Sequence, residues 1–261
     1  MDFITGEIIP IDKPYTWTSF QIVSKVRYLL SRKYGIKRFK VGHAGTLDPL
    51  ATGVLLLCTG KATKRIEELQ SQTKEYVAEI TLGATTPSFD LEHPIDATYP
   101  YEHITREMVE ETLKQFIGNI AQRPPLFSAC KIDGKRAYDL ARKGSDMQLA
   151  PKQIRIDSIE LLECELPKIR IRVVCGKGTY IRSLCRDIGE VLGCGATMDT
   201  LERTMSGIFT KENSYTFEQI EEAVKNGAIG EIIMHPETVL GDFVKIDVNE
   251  ENREKIRKER K

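Results

Sequence analysis

The chain has 261 residues, 41% hydrophobic and 29% charged, with 38 basic against 38 acidic side chains. That length buries a substantial core, as one large domain or a domain plus an appendage, and the composition is ordinary for a globular protein. No apolar run approaches the roughly 20 residues that span a bilayer, and Met1 to Glu7 lacks the basic and apolar regions of a signal peptide, so a cytoplasmic protein is expected. Six cysteines without any C-x-x-C spacing, and four histidines without a ligand-like cluster, argue against a disulfide framework or a metal site.

Ile8 to Ile11 reads as a short strand leading into Asp12-Lys13-Pro14. Thr18 or Ser19 can cap a helix whose apolar positions Ile22, Val23, Val26, Leu29 and Leu30 share one face. Residues 25–40 carry seven basic groups and no acid. Next comes Gly42-His43-Ala44-Gly45-Thr46-Leu47-Asp48-Pro49-Leu50-Ala51-Thr52-Gly53, running into Val54-Leu55-Leu56-Leu57-Cys58. The apolar run reads as a buried strand. Pro49 pushes Asp48 toward an extended conformation, and the glycines permit close backbone approach. Asp48 is therefore a carboxylate on a stiff loop anchored to the core. A nucleophile and plain Asp-Pro turn chemistry are equally good readings of the loop alone.

Lys74 to Gly83 alternates, with Tyr76, Ala78, Ile80 and Leu82 on one side. Residues 71–118 hold nine acids against three bases, and residues 123–155 eight bases against three acids. Such asymmetry can give a neutral protein a positive face, which suits a phosphate backbone. Thr105 opens an amphipathic helix through Ile117, closed by Gly118, and residues 135–143 look helical. Ile169 to Cys175 alternates as a strand, and Gly176-Lys177-Gly178 turns it into a helix that Gly193 ends. A last helix starts at the capping box Thr216-x-x-Gln219 and ends at Gly227, and the tail from Asn249 is charge-rich. Strands and helices mix without regular βαβ alternation, so the expected class is α+β with a mixed, mostly antiparallel sheet.

Several segments, in order, resemble the tRNA pseudouridine synthase B (TruB) family over most of residues 8–210. They are Ile11-Asp12-Lys13-Pro14 with Thr18-Ser19, the Asp48 loop, Lys74-x-Tyr76 with Leu82-Gly83, and Arg123-Pro124-Pro125 with Ser128-Ala129. Gly134-Lys135-Arg136-Ala137-Tyr138 with Ala141-Arg142 follows, then Gly178-Thr179-Tyr180-Ile181-Arg182-Ser183-Leu184 with Leu201-x-Arg203-Thr204. The resemblance implies a pseudouridine synthase fold with an RNA-binding cleft, and conversion of uridine 55 in the tRNA T loop to pseudouridine on a flipped-out nucleotide. It implies no metal or organic cofactor, no membrane and no obligate protein partner, and a monomer.

By the same resemblance Asp48 is the catalytic nucleophile, Arg182 pairs with it, and Tyr76 packs against the target base. His43, Tyr180 and Leu201 shape or fill the nucleotide pocket, while Lys13 and the basic blocks face tRNA. Read by residue type alone, Tyr76 is an ordinary half-buried strand tyrosine and Leu201 is core. Arg182 in a helix first turn is disfavoured by the dipole, which favours an acidic partner, and the guanidinium would lower that carboxylate's pKa by roughly 1–3 units.

Four departures stand out. Tyr15-Thr16 replace a glycine common after Lys-Pro, the turn Thr85 to His93 lacks the usual glycine and leaves the role of Asp90 open, and Glu202 replaces a frequently basic residue. The roughly 20 residues after Leu240 are too few for the RNA-binding PUA domain that many members carry. The expected organisation is a catalytic domain over 1–212, a helical extension over 213–240 packed on it, and a truncated remnant with a charged tail over 241–261. A guide-RNA-directed relative, a non-catalytic RNA-binding protein and a phosphate-cradling nucleotide enzyme are the competing readings. No G-x-x-x-x-G-K-[ST] or G-x-G-x-x-G supports the last.

Overall fold

Alternation along Ile8–Lys13 (β1) sends Ile9 and Ile11 to one face of a sheet and Ile8 to the other. The computed structural model describes residues 2–37, 39–128 and 149–240, together with the backbone of 131–132 and 135–136. Thr18 caps the next helix, Ser19–Tyr34 (α1), through a capping box with Gln21, and Gly35 ends it in the left-handed region. Val41–His43 (β2) and Ala51–Thr59 (β3) bracket the Asp48 loop, and Ile66–Ser71 (α2) leads into Lys74–Leu82 (β4). A small hairpin, Ala84–Thr85 (β5) with Ala97–Thr98 (β6), precedes Arg106–Lys114 (α3) and Gly118–Gln122 (β7). Lys131–Ile132 (β8) pairs with Lys135–Arg136 (β9). Lys152–Glu165 (β10) and Lys168–Cys175 (β11) form a long hairpin. Ile181–Leu192 (α4), Ala196–Ser206 (β12), Phe209–Thr210 (β13), Phe217–Asn226 (α5) and Pro236–Val239 (α6) complete the order.

The sheet runs β1-β3-β12-β4-β11-β10-β7, with β2 attached to β3 and β13 to β12. Its pairs are antiparallel except β12 with β3, where Leu201 lies opposite Ala51 and Arg203 opposite Gly53. The mixed, mostly antiparallel α+β class follows from the alternation in the sequence. One face carries the main core, which brings together Ile22, Val26 and Leu30 of α1, Leu184, Ile188 and Leu192 of α4, and Tyr76, Ala78 and Ile80 of β4. The other face holds a smaller cluster of Ile8, Val54, Leu56, Leu69 and Phe209.

The last described helices belong to this same body. Tyr215 N–H donates to the Pro10 carbonyl, Met234 pairs with Ile8, and Lys33 Nζ donates to the Lys225 carbonyl. One sequence expectation needs correction. The helix begun at Thr105 ends at Lys114, because Gly118 (φ +105°) already opens β7. The helix expected over 135–143 lies outside the described residues, except for Lys135–Arg136, which pair as a strand.

Gly53 shows why the Asp48 loop needs its glycines. Its φ is +95°, and an added Cβ would stand 2.2 Å from the Arg203 carbonyl oxygen. Gly53→Ala should therefore lower unfolding free energy by about 2 kcal/mol or more, read as a fall in the denaturation midpoint. An unchanged midpoint would mean that the β3–β12 contact can open without cost.

Candidate active site

Four contacts fix the loop that carries Asp48. The Ser19 hydroxyl donates to the Leu47 carbonyl at 3.0 Å and accepts from the Leu47 N–H at 2.9 Å. Arg203 Nη2 reaches the Gly45 carbonyl at 3.2 Å, and Lys13 Nζ reaches that of Pro49 at 3.2 Å. Behind the loop, Ala51 N–H closes a turn on the Asp48 carbonyl. These side-chain contacts add to the constraint that proline and glycine place on the loop.

Arg182 Nη2 meets Asp48 Oδ2 at 2.9 Å. Sitting just inside the N-terminus of α4, this guanidinium is buried, with 3% exposure. It also donates to the carbonyls of Ser88 and Phe127, at 3.2 and 2.9 Å. On its far side lies Asp90 Oδ2, 3.5 Å from Nη1. Asp90 is 1% exposed and takes hydrogen bonds from the Ser88 hydroxyl and the Glu92 N–H. The cation that disfavours a helix start thus finds two acidic partners rather than one.

The carboxylate of Asp48 keeps a third of its surface open, into a cavity of about 300 Å³. Tyr76 from β4, Leu201 and Arg203 from β12, Tyr180 and Arg182 at the head of α4, and Lys74 line that cavity. Loss of water around Asp48 pushes its pKa up, and the neighbouring Asp90 adds to this, while Arg182 and Lys13 pull it down. The net direction is upward, opposite to the lowering expected from Arg182 alone, because burial outweighs the ion pair. The folded chain then holds this proton more tightly than the unfolded one. Ionising Asp48 costs stability as pH rises out of the ordinary carboxylate range near 3.8.

Of the residues singled out from sequence, Asp48, Tyr76, Tyr180, Arg182 and Leu201 converge on this one cavity. His43 and Lys13 do not line it. His43 is half-buried on β2, and burial together with Arg203 lowers its pKa, which favours a neutral imidazole. Lys13 is 0% exposed and does not face solvent. Its ammonium donates to the carbonyls of Pro14, Trp17 and Pro49, and burial lowers its pKa to about 8. In this structure Lys13 braces the loop through those three carbonyls.

Two residues in the cavity went unassigned in the sequence. Arg203 stands in the motif Leu201-x-Arg203-Thr204, is 1% exposed, donates to the Val54 carbonyl at 2.6 Å, and lies 6.0 Å from the Tyr76 ring centroid. It opposes the rise that burial imposes on the Tyr76 phenol. Lys74 opens the Lys74-x-Tyr76 motif and is also buried. Its ammonium donates to the carbonyls of Gln70 and Gln72, and its pKa falls to about 8 through burial and the nearby Arg203. Among the described residues no group of three His, Cys, Asp or Glu side chains is placed to hold a metal.

This fold and cleft are those of the pseudouridine synthases. A solved structure described as a Cbf5-Nop10-Gar1 complex superposes with a TM-score of 0.68 at 30% identity, over 89% of this chain. An H/ACA RNP bound to a substrate RNA containing 2′-deoxyuridine gives 0.66 at 28%, over 91%. The chain spans 61% of the length of either.

More particularly, the chain belongs to the TruB family. Residues 31–181 match the model of the TruB family pseudouridylate synthase N-terminal domain, and residues 182–240 that of the tRNA pseudouridylate synthase B C-terminal domain. The tRNA pseudouridine synthase B of Phocaeicola vulgatus is 63% identical over 233 residues, covering 89% of this chain and 99% of that protein. The tRNA pseudouridine synthase B of Flavobacterium johnsoniae is 49% identical over 225 residues, covering 86% and 98%.

The electrostatics make a direct expectation. The Asp48 carboxyl, followed by carbon-13 NMR, should titrate above the ordinary range near 3.8. Asp90→Asn should move that midpoint down, because it removes a negative neighbour. A midpoint below the ordinary range in the unmodified protein would show that the ion pair, not burial, sets the charge.

Proposed function

We propose that this chain isomerises uridine 55 in the T loop of tRNA to pseudouridine, with Asp48 as the catalytic carboxylate on a flipped-out nucleotide. The carrying observation is the 2.9 Å pair of Asp48 with a buried arginine, at the floor of a cavity walled by two tyrosines and a leucine. The relatives at 49–63% identity are tRNA enzymes by name, whereas the guide-RNA assemblies stand at 28–30%. That difference favours tRNA over the guide-directed reading.

The reaction breaks the bond from C1′ to N1 of uracil, turns the base, and joins C1′ to C5. C5 gives up its hydrogen and N1 ends protonated, so the balance needs no redox partner and no cofactor. An ionised oxygen must stand beside the sugar, to attack C1′ or to take the proton from C2′. Asp48 is placed for that need: its carboxylate opens on the cavity and pairs with the Arg182 guanidinium at 2.9 Å, which favours the charged form. Arg182 fixes which oxygen faces the ribose. Tyr76 and Leu201 offer flat apolar contact to the base while it turns, and Tyr180 closes the side at the head of α4. His43 stands on the strand before the loop, where it can fill the space that the everted nucleotide leaves in the RNA.

Extruding a stacked uridine costs a few kcal/mol. Stacking on an aromatic returns about 1–3 kcal/mol per base, and phosphate contacts supply the rest. The exposed cations of the block 25–40 are suited to that role; the second basic block lies largely outside the described residues. The enzyme acts as a cytoplasmic monomer without a protein partner. Residues 1–212 form the catalytic domain, with 213–240 as a helical extension on it.

Asp48→Asn should abolish pseudouridine formation on a T-loop transcript while leaving tRNA affinity within about twofold of the unmodified protein. Turnover at the unmodified rate would remove Asp48 from the mechanism. Lys37→Glu with Lys40→Glu should weaken binding and reduce the slope of log affinity against log salt by about one per lost phosphate contact. An unchanged slope would place the RNA on another face.

A further inference from the structure

The backbone at Phe89 is the least expected conformation near the cavity. Its φ is +64°, the left-handed region that glycine enters freely and a bulky aromatic seldom does. Phe89 sits between Ser88 and Asp90, the two residues that the turn presents to Arg182. Ser88 offers its carbonyl to Arg182 at 3.2 Å, and Asp90 offers its carboxylate at 3.5 Å. The turn is closed by the Phe89 N–H on the Thr86 carbonyl, and it is tied to β12 where the Met198 N–H meets the Phe89 carbonyl at 3.0 Å.

The Phe89 side chain faces a second arginine. The guanidinium carbon of Arg186 lies 5.0 Å from the ring centroid. Arg186 stands one helical turn after Arg182 on α4, so both arginines grip the same turn. Arg182 holds its backbone and carboxylate, while Arg186 covers its ring. Arg186 is itself fixed, by Asp187 at 2.6 Å and by the Arg123 carbonyl at 3.3 Å.

We propose that the stacking of Arg186 on Phe89 holds the left-handed turn in place, and that Phe89 and Arg186 are positioning residues for the Asp90–Arg182–Asp48 chain. Neither touches the cavity that holds Asp48. They act through Arg182, whose guanidinium is aimed at Asp48 because Ser88 and Asp90 are held behind it. A cation over an aromatic face is attractive, so the Arg186–Phe89 contact adds to the hydrogen bonds that hold Ser88 and Asp90 in this turn. The inference rests on Asp48 carrying the reaction.

The test uses the full-length protein and a T-loop tRNA transcript, with single-turnover rate, tRNA dissociation constant and melting midpoint measured on each variant. Phe89→Leu keeps apolar bulk and removes the ring, Phe89→Tyr keeps the ring, and Arg186→Gln removes the cation. The expected result is a saturating rate reduced roughly ten- to a hundredfold in Phe89→Leu and in Arg186→Gln, with affinity unchanged and with Phe89→Tyr close to the unmodified rate. The double variant should be no slower than either single one, because both break the same contact. Equal rates at saturation in the unmodified protein, Phe89→Leu and Arg186→Gln would overturn the proposal. So would multiplicative losses in the double variant, or losses that follow only the melting midpoint. An unmodified protein that forms no pseudouridine would instead sink the assigned reaction, which separates the two failures.

Discussion

A single buried cation organises the centre of this molecule. The guanidinium of Arg182 enters the protein at the start of a helix, where the local dipole opposes it, and is almost wholly removed from water. Such a charge is tolerable only when paired and hydrogen-bonded. The fold supplies Asp48 on one side, Asp90 on the other, and the carbonyls of Ser88 and Phe127 in between. Three segments far apart in sequence are thereby fixed to α4. Removing the cation would leave an acid at 1% exposure without its counter-charge, a loss of about 3–5 kcal/mol for buried pairs of this kind. Stability is therefore tied to the same group that pairs with Asp48.

The sheet explains why Asp48 and Tyr76 meet at all. The parallel pairing of β12 with β3 joins the strand that leaves the Asp48 loop to the strand beside Tyr76. Gly53 lets the backbones touch there, and Arg203 crosses the junction to reach Val54 and Gly45 on one side and Tyr76 on the other. The carboxylate and the stacking face are thus placed by one strand pair rather than by two loops, which gives the geometry the stiffness of the core.

Much of this was legible in the sequence, and the gaps have physical causes. The alternation of Tyr76, Ala78, Ile80 and Leu82, the capping boxes at Thr18 and Thr216, and Gly193 at a helix end are local signals that tertiary packing did not override. The Asp48 loop was readable because proline and glycine announce backbone constraint directly. β12 was not, since register shifts between Met198 and Thr200 and between Arg203 and Met205 break its alternation, and its polar residues disguise a central strand. β10 was hidden in the same way by an outer face of ion pairs such as Glu160–Arg172 and Glu163–Arg170. Arg203 escaped assignment, and Lys13 was assigned to the tRNA face, because a charged side chain is by default a solvated one. Only the folded chain reveals that both spend their donors on backbone carbonyls.

The burial of Lys13 bears on how a substrate is met. One ammonium clasps the carbonyls of Pro14 and Trp17 ahead of the first helix and that of Pro49 just past Asp48. The segment is thereby tied down at both ends. Under the proposed reaction, accommodation falls to the polynucleotide, which has to unstack and swing its pyrimidine inward against this wall, and selectivity then favours nucleotides that leave their helix cheaply.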